Sequence, residues 1–467
     1  MNLRAEKLLI AACTAAFLSF TYAPAQTLNE RGAPIVSSAM TENMGYRFLE
    51  RLTNEAGGRV TGTRGYERAL EILVEEGRKA GVNVELEAIS VPGWRRGDDR
   101  IKLLSPHERD IRCAVLGFVD AAPSFDADVF DAGAGRNSNY NSAVAGRIAL
   151  VDQDGGLYRF EAIDTAAAHG AIAVLFINSK KGGKLALGTG NFRAEKCKIP
   201  AFTVTYEDGM LLRRIMKSGL DARLRVECNS KCLGDVKTSN AVVHLPGKTS
   251  EKIVIGAHLD SWDIGQGAVD NGFGSAILFE LARIFSKYQK DNDRGIDFVW
   301  FAGEETGLLG SKEYAKQHGG ENISAMINMD MTGIPNGINL MGFEDFRAYF
   351  EPLAESLKSS GFNRGVVSNA WINSDHTFFM LEGIPSFVFE SILEDEMTDY
   401  YHDYGDTFDK AQARHIASGA ATIGLFLREM ANSKDLPKIR KSHAEINDLL
   451  RKNKQEDRMR RQGWWRD

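Results

Sequence analysis

The chain has 467 residues, enough at about 150 residues per domain for some three folding units and a sizeable buried core. Hydrophobic residues make up 43% and charged residues 26%, which excludes wholesale disorder and a multi-span membrane protein. Fifty-seven basic against 63 acidic residues leave a net charge of −6; without a cationic excess, no nucleic-acid partner is expected.

Arg4 and Lys7 precede an apolar run over residues 8–23, and Ala23-Pro24-Ala25 before Gln26 is an A-x-A cleavage site. That order predicts a secretory signal peptide over residues 1–25, hence a secreted or periplasmic protein. A membrane anchor is the competing reading, but the run is short for a span and carries Thr14, Ser19 and Thr21. Ile10-Ala11-Ala12-Cys13 also resembles a lipoprotein processing site, although the apolar stretch continues past Cys13. Nothing downstream reaches the length of a membrane span.

Residues 46–80 read as helices, with Ala69, Leu70, Leu73 and Val74 at helical spacing and a loop at Gly57-Gly58-Arg59-Val60-Thr61-Gly62-Thr63. Alternation over residues 82–86 predicts a strand. From residue 100 to 236, short apolar runs (114–119, 147–151, 172–177, 201–204) alternate with Gly- and Asn-rich loops and few helices, the texture of a separate β-rich unit inserted in the chain. It holds Cys113, Cys197, Cys228 and Cys232, which read as disulfides or as inert buried thiols; Cys228-x-x-x-Cys232 lacks the partner pair of a structural zinc site.

From residue 240 strands alternate with helices: strands at 253–255, 298–301, 325–329 and 385–389, helices at 276–288 and 411–430. This predicts an α/β unit, a mixed, largely parallel sheet with helices on both faces, with ligands at the carboxyl ends of its strands. Residues 26–99 and 237–433 then form one core, interrupted by 100–236. Residues 434–467 carry eleven Lys or Arg against six Asp or Glu and read as a solvated helix or frayed tail, although Trp464-Trp465 leaves room for a docking contact.

Successive strands of this unit end in metal-capable residues. Strand 253–255 leads to His258-Leu-Asp260; the Gly265-Gln-Gly-Ala-Val loop delivers Asp270; strand 298–301 leads to Glu304-Glu305, and 325–329 to Asp330; His402 follows Tyr400-Tyr401. Any one alone is more often a cap or a surface residue. Gathered at one sheet end, the carboxylates would repel strongly without cations, so bound divalent metal is the economical explanation. Two imidazoles and three carboxylates suit two zinc ions, with Asp270 on its glycine loop as the natural bridge. Glu304 and Glu305, adjacent on an extended segment, should point to opposite faces, one ligating and the other acting as general base. Asp260, two residues after His258, could orient its imidazole.

His258-x-Asp260, Asp270 in Gly-Gln-Gly-Ala-Val-Asp-Asn-Gly, Glu304-Glu305, Asp330 and His402 resemble the co-catalytic zinc exopeptidase family, which includes leucyl aminopeptidases, glutamate carboxypeptidase and carboxypeptidase Q. The segment from His258 to Ala268 is most similar to the carboxypeptidase Q branch. Gly58-Arg-Val-Thr-Gly-Thr-Arg-Gly65 and Ser374-Asp-His also resemble that family, and the insert resembles its protease-associated domain. The resemblance implies two Zn2+ per chain: His258 and Asp330 on one, Glu305 and His402 on the other, Asp270 bridging, and Glu304 as general base for metal-activated water. Tyr401 matches a Tyr-His pair whose hydroxyl bonds the oxyanion, with a packed aromatic as the alternative. His376 is expected to line the site without binding metal. The substrate would be a short peptide or dipeptide, cut by a carboxypeptidase, a dipeptidase or an aminopeptidase. The same resemblance admits a homodimer, and leaves as remoter readings a noncatalytic receptor and a one-metal glutaminyl cyclase.

Overall fold

Two eight-stranded sheets organise the chain in the computed structural model, which describes residues 32–288 and 291–466, the side chains at 395 and 396 excepted. The leader expected at residues 1–25 lies outside the described residues. In the larger sheet the strand order is Glu85–Arg95, Lys231–Leu245, Gly295–Phe301, Lys252–His258, Ile323–Asn328, Ser386–Ile392, Ile334–Asn339, Gly365–Val367. Its central four, from Gly295–Phe301 to Ser386–Ile392, run parallel, flanked by antiparallel neighbours.

Strand Gly295–Phe301 shows why the sheet is covered on both faces. Side chains alternate along a strand. Phe298 lies 6.0 Å from Phe285, and the Trp300 indole donates to the Ser275 carbonyl at 3.1 Å, so these two face helix Phe273–Tyr288. Phe301 and Asp297 face helix Leu309–His318 on the other side, where Tyr314 lies edge-on to Phe301, 5.9 Å between ring centroids, and its hydroxyl donates to Asp297 at 2.9 Å. Burial on both faces is what the unbroken apolar run Ile253-Val254-Ile255 requires. The expected α/β core is therefore present, with the helix predicted at 276–288 starting earlier, at Phe273.

The first strand differs from expectation. It begins at Glu85 and runs to Arg95, through Pro92, paired along its length with Lys231–Leu245. Proline is tolerated because this is the sheet's edge strand, where a missing amide donor costs no ladder bond. The resulting ribbon is the stalk from which the second sheet departs. That sheet, ordered Arg109–Ile111, Arg100–Ser105, Arg223–Cys228, Ala122–Gly133, Ile148–Asp152, Ala173–Ile177, Ala201–Val204, Cys113–Val115, carries two helices, Arg159–Ala168 and Tyr206–Lys217. The first was hard to see because alanines on several sides blur its apolar stripe.

The four cysteines of the insert are free thiols, so the disulfide expectation fails; Cys197 and Cys228 are buried and Cys113 and Cys232 half-buried. Burial pushes Cys113, Cys197 and Cys228 up to about 12, which keeps them protonated and unreactive. The basic tail is not frayed. It forms helices His443–Lys452 and Glu456–Gln462, buries Ile446, Leu450 and Met459, and sets Trp464 edge-on to Phe378 at 5.3 Å. Ile446 and Leu450 lie four residues apart, on one face of the first helix, a pattern hidden beneath the density of charge.

Candidate metal centre

The ends of the parallel strands converge on Asp270. Its Oδ1 lies 3.3 Å from Nε2 of His258, and its Oδ2 lies 3.0 Å from Nε2 of His402. Asp330 Oδ1 approaches the same His258 nitrogen at 3.5 Å, and Glu305 Oε2 the same His402 nitrogen at 3.0 Å. Two groups of three potential ligands result, His258 with Asp270 and Asp330, and His402 with Asp270 and Glu305. They share one carboxylate.

The donor set fits divalent metal better than mutual hydrogen bonding. His258 Nε2 and Glu305 Oε1 are buried and make no hydrogen bond, an arrangement that costs free energy unless a cation satisfies it. Asp270 is held below the usual carboxylate range because the two imidazoles outweigh the effect of burial. Burial pushes Glu305 up to about 7 and Glu304 well above its usual range, with neighbouring carboxylates adding to both.

Asp260 is fully buried and divides its carboxylate between the amides of Glu304 (3.1 Å) and Glu305 (3.3 Å). Nδ1 of His258 donates to the backbone carbonyl of Asp260 at 3.1 Å, with the Asp260 carboxylate at 3.6 Å. Asp260 thus grips both the His258 ring and the glutamate segment. That segment is a turn, not extended as expected: Gly303 has φ +66°, and the amides of Gly307 and Leu308 both donate to the Glu304 carbonyl at 3.0 Å. Both glutamates line the same cleft, but only Glu305 reaches His402.

Tyr401 stacks on His402, 3.8 Å between ring centroids, and remains 46% exposed in the cleft wall. His376 does not line the cleft. It is fully buried, its Nε2 donates to the Trp371 carbonyl at 2.9 Å, and burial pulls its pKa to about 4.

Three supporting residues were not assigned roles from sequence. Arg59, fully buried, donates to the carbonyls of Leu259 (2.8 Å), Gly57 (2.9 Å), Gln266 (2.5 Å) and Gly267 (2.9 Å), clamping the glycine loop that leads to Asp270. A side chain at Gly267, where φ is +56°, would strike Ser261 at 2.3 Å, so glycine is required there. Asp406 receives the amides of Val269 (2.7 Å) and Asp270 (3.0 Å) from the other side. Asp375 is buried beside the site with neither oxygen hydrogen-bonded, and burial pushes it up to about 7. The motifs around Arg59 and Asp375 were visible in sequence; Asp406 meets Asp270 from a distant segment and left no local signal.

The centre floors a cleft of about 340 Å3 with walls from three parts of the chain, within the range of small-ligand sites. The insert supplies Tyr158, Arg159 and Phe192, and the tail supplies Arg458, Gln462 and Trp464. The insert also braces the His402 loop. Leu187 N donates to the His402 carbonyl at 2.8 Å, Leu185 N to Asp403 at 2.6 Å, and Lys184 pairs with Asp399 at 2.9 Å.

Residues 240–427 match the model of peptidase family M28, and residues 118–212 match that of the PA domain. The chain is a metallopeptidase, similar to peptidase family M28 over these residues. Carboxypeptidase Q of Bos taurus is 28% identical over 404 residues, covering 81% of this chain and 84% of the bovine protein. The M28 peptidase precursor of Shewanella amazonensis SB2B shares the fold, with a TM-score of 0.78 and 24% identity over 90% of this chain and all of that one. A zinc aminopeptidase from Bacillus subtilis aligns with a TM-score of 0.68 and 22% identity, over 85% of this chain and 97% of that one. The PA domain is inserted into the M28 fold, as the second sheet on its ribbon indicates.

Proposed function

We propose that this metallopeptidase is an exported dinuclear zinc exopeptidase acting on short peptides or dipeptides. In this reading His258 and Asp330 hold one zinc, Glu305 and His402 hold the other, and Asp270 spans both. The observation that carries it is the division of the Asp270 carboxylate between two imidazoles, 3.3 Å to His258 and 3.0 Å to His402. Zinc, when bound, supplies the Lewis acidity that polarises a scissile carbonyl and lowers the pKa of attacking water.

The chain's own residues do the rest. Glu304 lines the cleft beside Asp330 without belonging to either ligand group, as suits a base that takes the proton of the attacking water and returns it to the departing amine. Asp260 fixes Glu304 and Glu305 through their amides, so base and ligand keep their separation. Tyr401, stacked on His402, is assigned the hydroxyl that donates to the carbonyl oxygen as negative charge grows on it. The cleft's modest volume and its three walls favour short peptides over folded chains.

Hydrolysis of a dipeptide panel by the zinc-loaded protein tests the reading. Glu304→Gln should retain its metal and lose about 10²- to 10⁴-fold in kcat. Full activity in that variant, or none in the parent on any amino- or carboxy-terminal substrate, would overturn it.

A further inference from the structure

The cleft lining carries both signs of charge: the carboxylates Asp270, Glu304, Glu305 and Asp330, and two cations, Arg159 from the insert and Arg458 from the tail helix Glu456–Gln462. Neither is neutralised by a carboxylate among the described residues. Arg159 donates only to the neutral carbonyls of Ala186 (2.7 Å) and Leu187 (3.2 and 3.3 Å). Arg458 is half-buried over the Tyr158 ring, 5.7 Å from its centroid, and its Nε is buried without any hydrogen-bond partner.

Its neighbours on the same helix are satisfied. Arg460 pairs with Glu456 at 2.9 Å, and Arg461 with Glu161 of the insert at 3.0 Å. The helix is also well anchored, by buried Met459 and Gln462, by Arg193 donating to the Arg461 carbonyl at 2.9 Å, and by Trp464 against Phe378. A guanidinium held rigidly at a cleft wall, partly desolvated and unpaired, costs free energy that an incoming anion recovers.

We propose that Arg458, seconded by Arg159, binds the free carboxylate of a short peptide substrate, making the C-terminal tail the source of a specificity-determining residue. The proposal rests on the peptidase reading above and adds the substrate end. The leaving residue's carboxylate would sit against the two arginines while the scissile carbonyl lies over Asp270 and Glu304. The opposite orientation, a substrate ammonium at this wall, would place like charges together.

The test uses the full-length zinc-loaded protein, the dipeptide it cleaves best, and the carboxamide of that dipeptide. The parent should prefer the free acid by about 10- to 100-fold in kcat/KM, the range expected of a charge-assisted hydrogen bond. Arg458→Met should raise KM for the acid about tenfold or more and erase most of the preference. Its kcat, zinc content and Tm should stay near the parent's, and Arg458→Lys should recover part of the affinity. Equal cleavage of acid and amide by the parent, or an unchanged KM in Arg458→Met, would overturn the proposal while leaving the peptidase reading intact. Absence of any peptide hydrolysis would overturn that reading and the proposal with it.

Discussion

Arg59 tests whether the glycine loop must be clamped for Asp270 to serve two metals. Its guanidinium makes four hydrogen bonds to backbone carbonyls and is fully buried. Burial lowers its pKa only to about 10, so it stays charged near neutrality. At about 1 to 1.5 kcal/mol per bond, Arg59→Met should cost about 4 to 6 kcal/mol, a large share of a typical 5–15 kcal/mol stability. Arg59→Lys, able to reach about half of these acceptors from one ammonium, should cost about 2 to 3 kcal/mol and fold. Because Gln266 and Gly267 precede Asp270 closely, loosening them by about 1 Å should lower kcat/KM about 10²-fold. Urea unfolding, metal content and dipeptide kinetics of Arg59→Lys check this. A loss of stability under about 0.5 kcal/mol, with rate and metal unchanged, would refute the clamp.

Other expectations follow from the same contacts. Removing metal with a chelator should abolish activity and lower Tm by about 5 °C, taking about 2.7 kcal/mol for each of two sites at 100 times Kd and about 2.1 cal/mol/K per residue for the unfolding entropy; calorimetry with and without zinc measures it, and an unchanged Tm would count against a structural contribution from the metal. Buried Glu280 accepts from Gly45 N at 2.9 Å and pairs with buried Arg283, so Glu280→Leu should destabilise by about 2 to 3 kcal/mol, from the lost acceptor of Gly45 N and the loss of one of the two carboxylates on Arg283, which keeps Glu42, as urea midpoints will show. His244 is raised to about 10 by its hydrogen bond to Asp297 (2.7 Å) and its ion pair with Glu87 (3.6 Å), while Glu87, against the opposing effect of burial, is held at about 2 by His244 and His318. The His244 contribution is complete below about pH 6.5 and fades as pH rises to 10; that of Glu87 is complete above about 4.5 and fades towards pH 2. The stability difference between parent and His244→Gln should therefore peak near pH 5–6 and vanish by pH 10, and a difference that persists at pH 10 would contradict it.

The metal-capable positions were legible because each follows an apolar strand, and strand ends in a largely parallel sheet share one edge. His258, Asp270, Glu305, Asp330 and His402 could be gathered from sequence without coordinates for that reason. What was illegible depends on contacts between distant segments. Asp406 meets Asp270 across 136 residues, and Arg461 meets Glu161 across 300, with no periodicity to announce either. The tail misled for a different reason: composition counts charge, whereas docking depends on a few apolar positions, Ile446, Leu450 and Met459, which the charges mask. The reading of the glutamate pair rested on an extended segment, whereas the chain turns at Gly303 there, both glutamates line one cleft, and only Glu305 reaches His402.

Metal analysis of the parent beside Asp270→Ala asks whether one carboxylate joins a pair of metals. Two zinc ions per chain are expected in the parent and one or fewer in the variant, with activity lost. One zinc in the fully loaded parent, or two retained without Asp270, would contradict it.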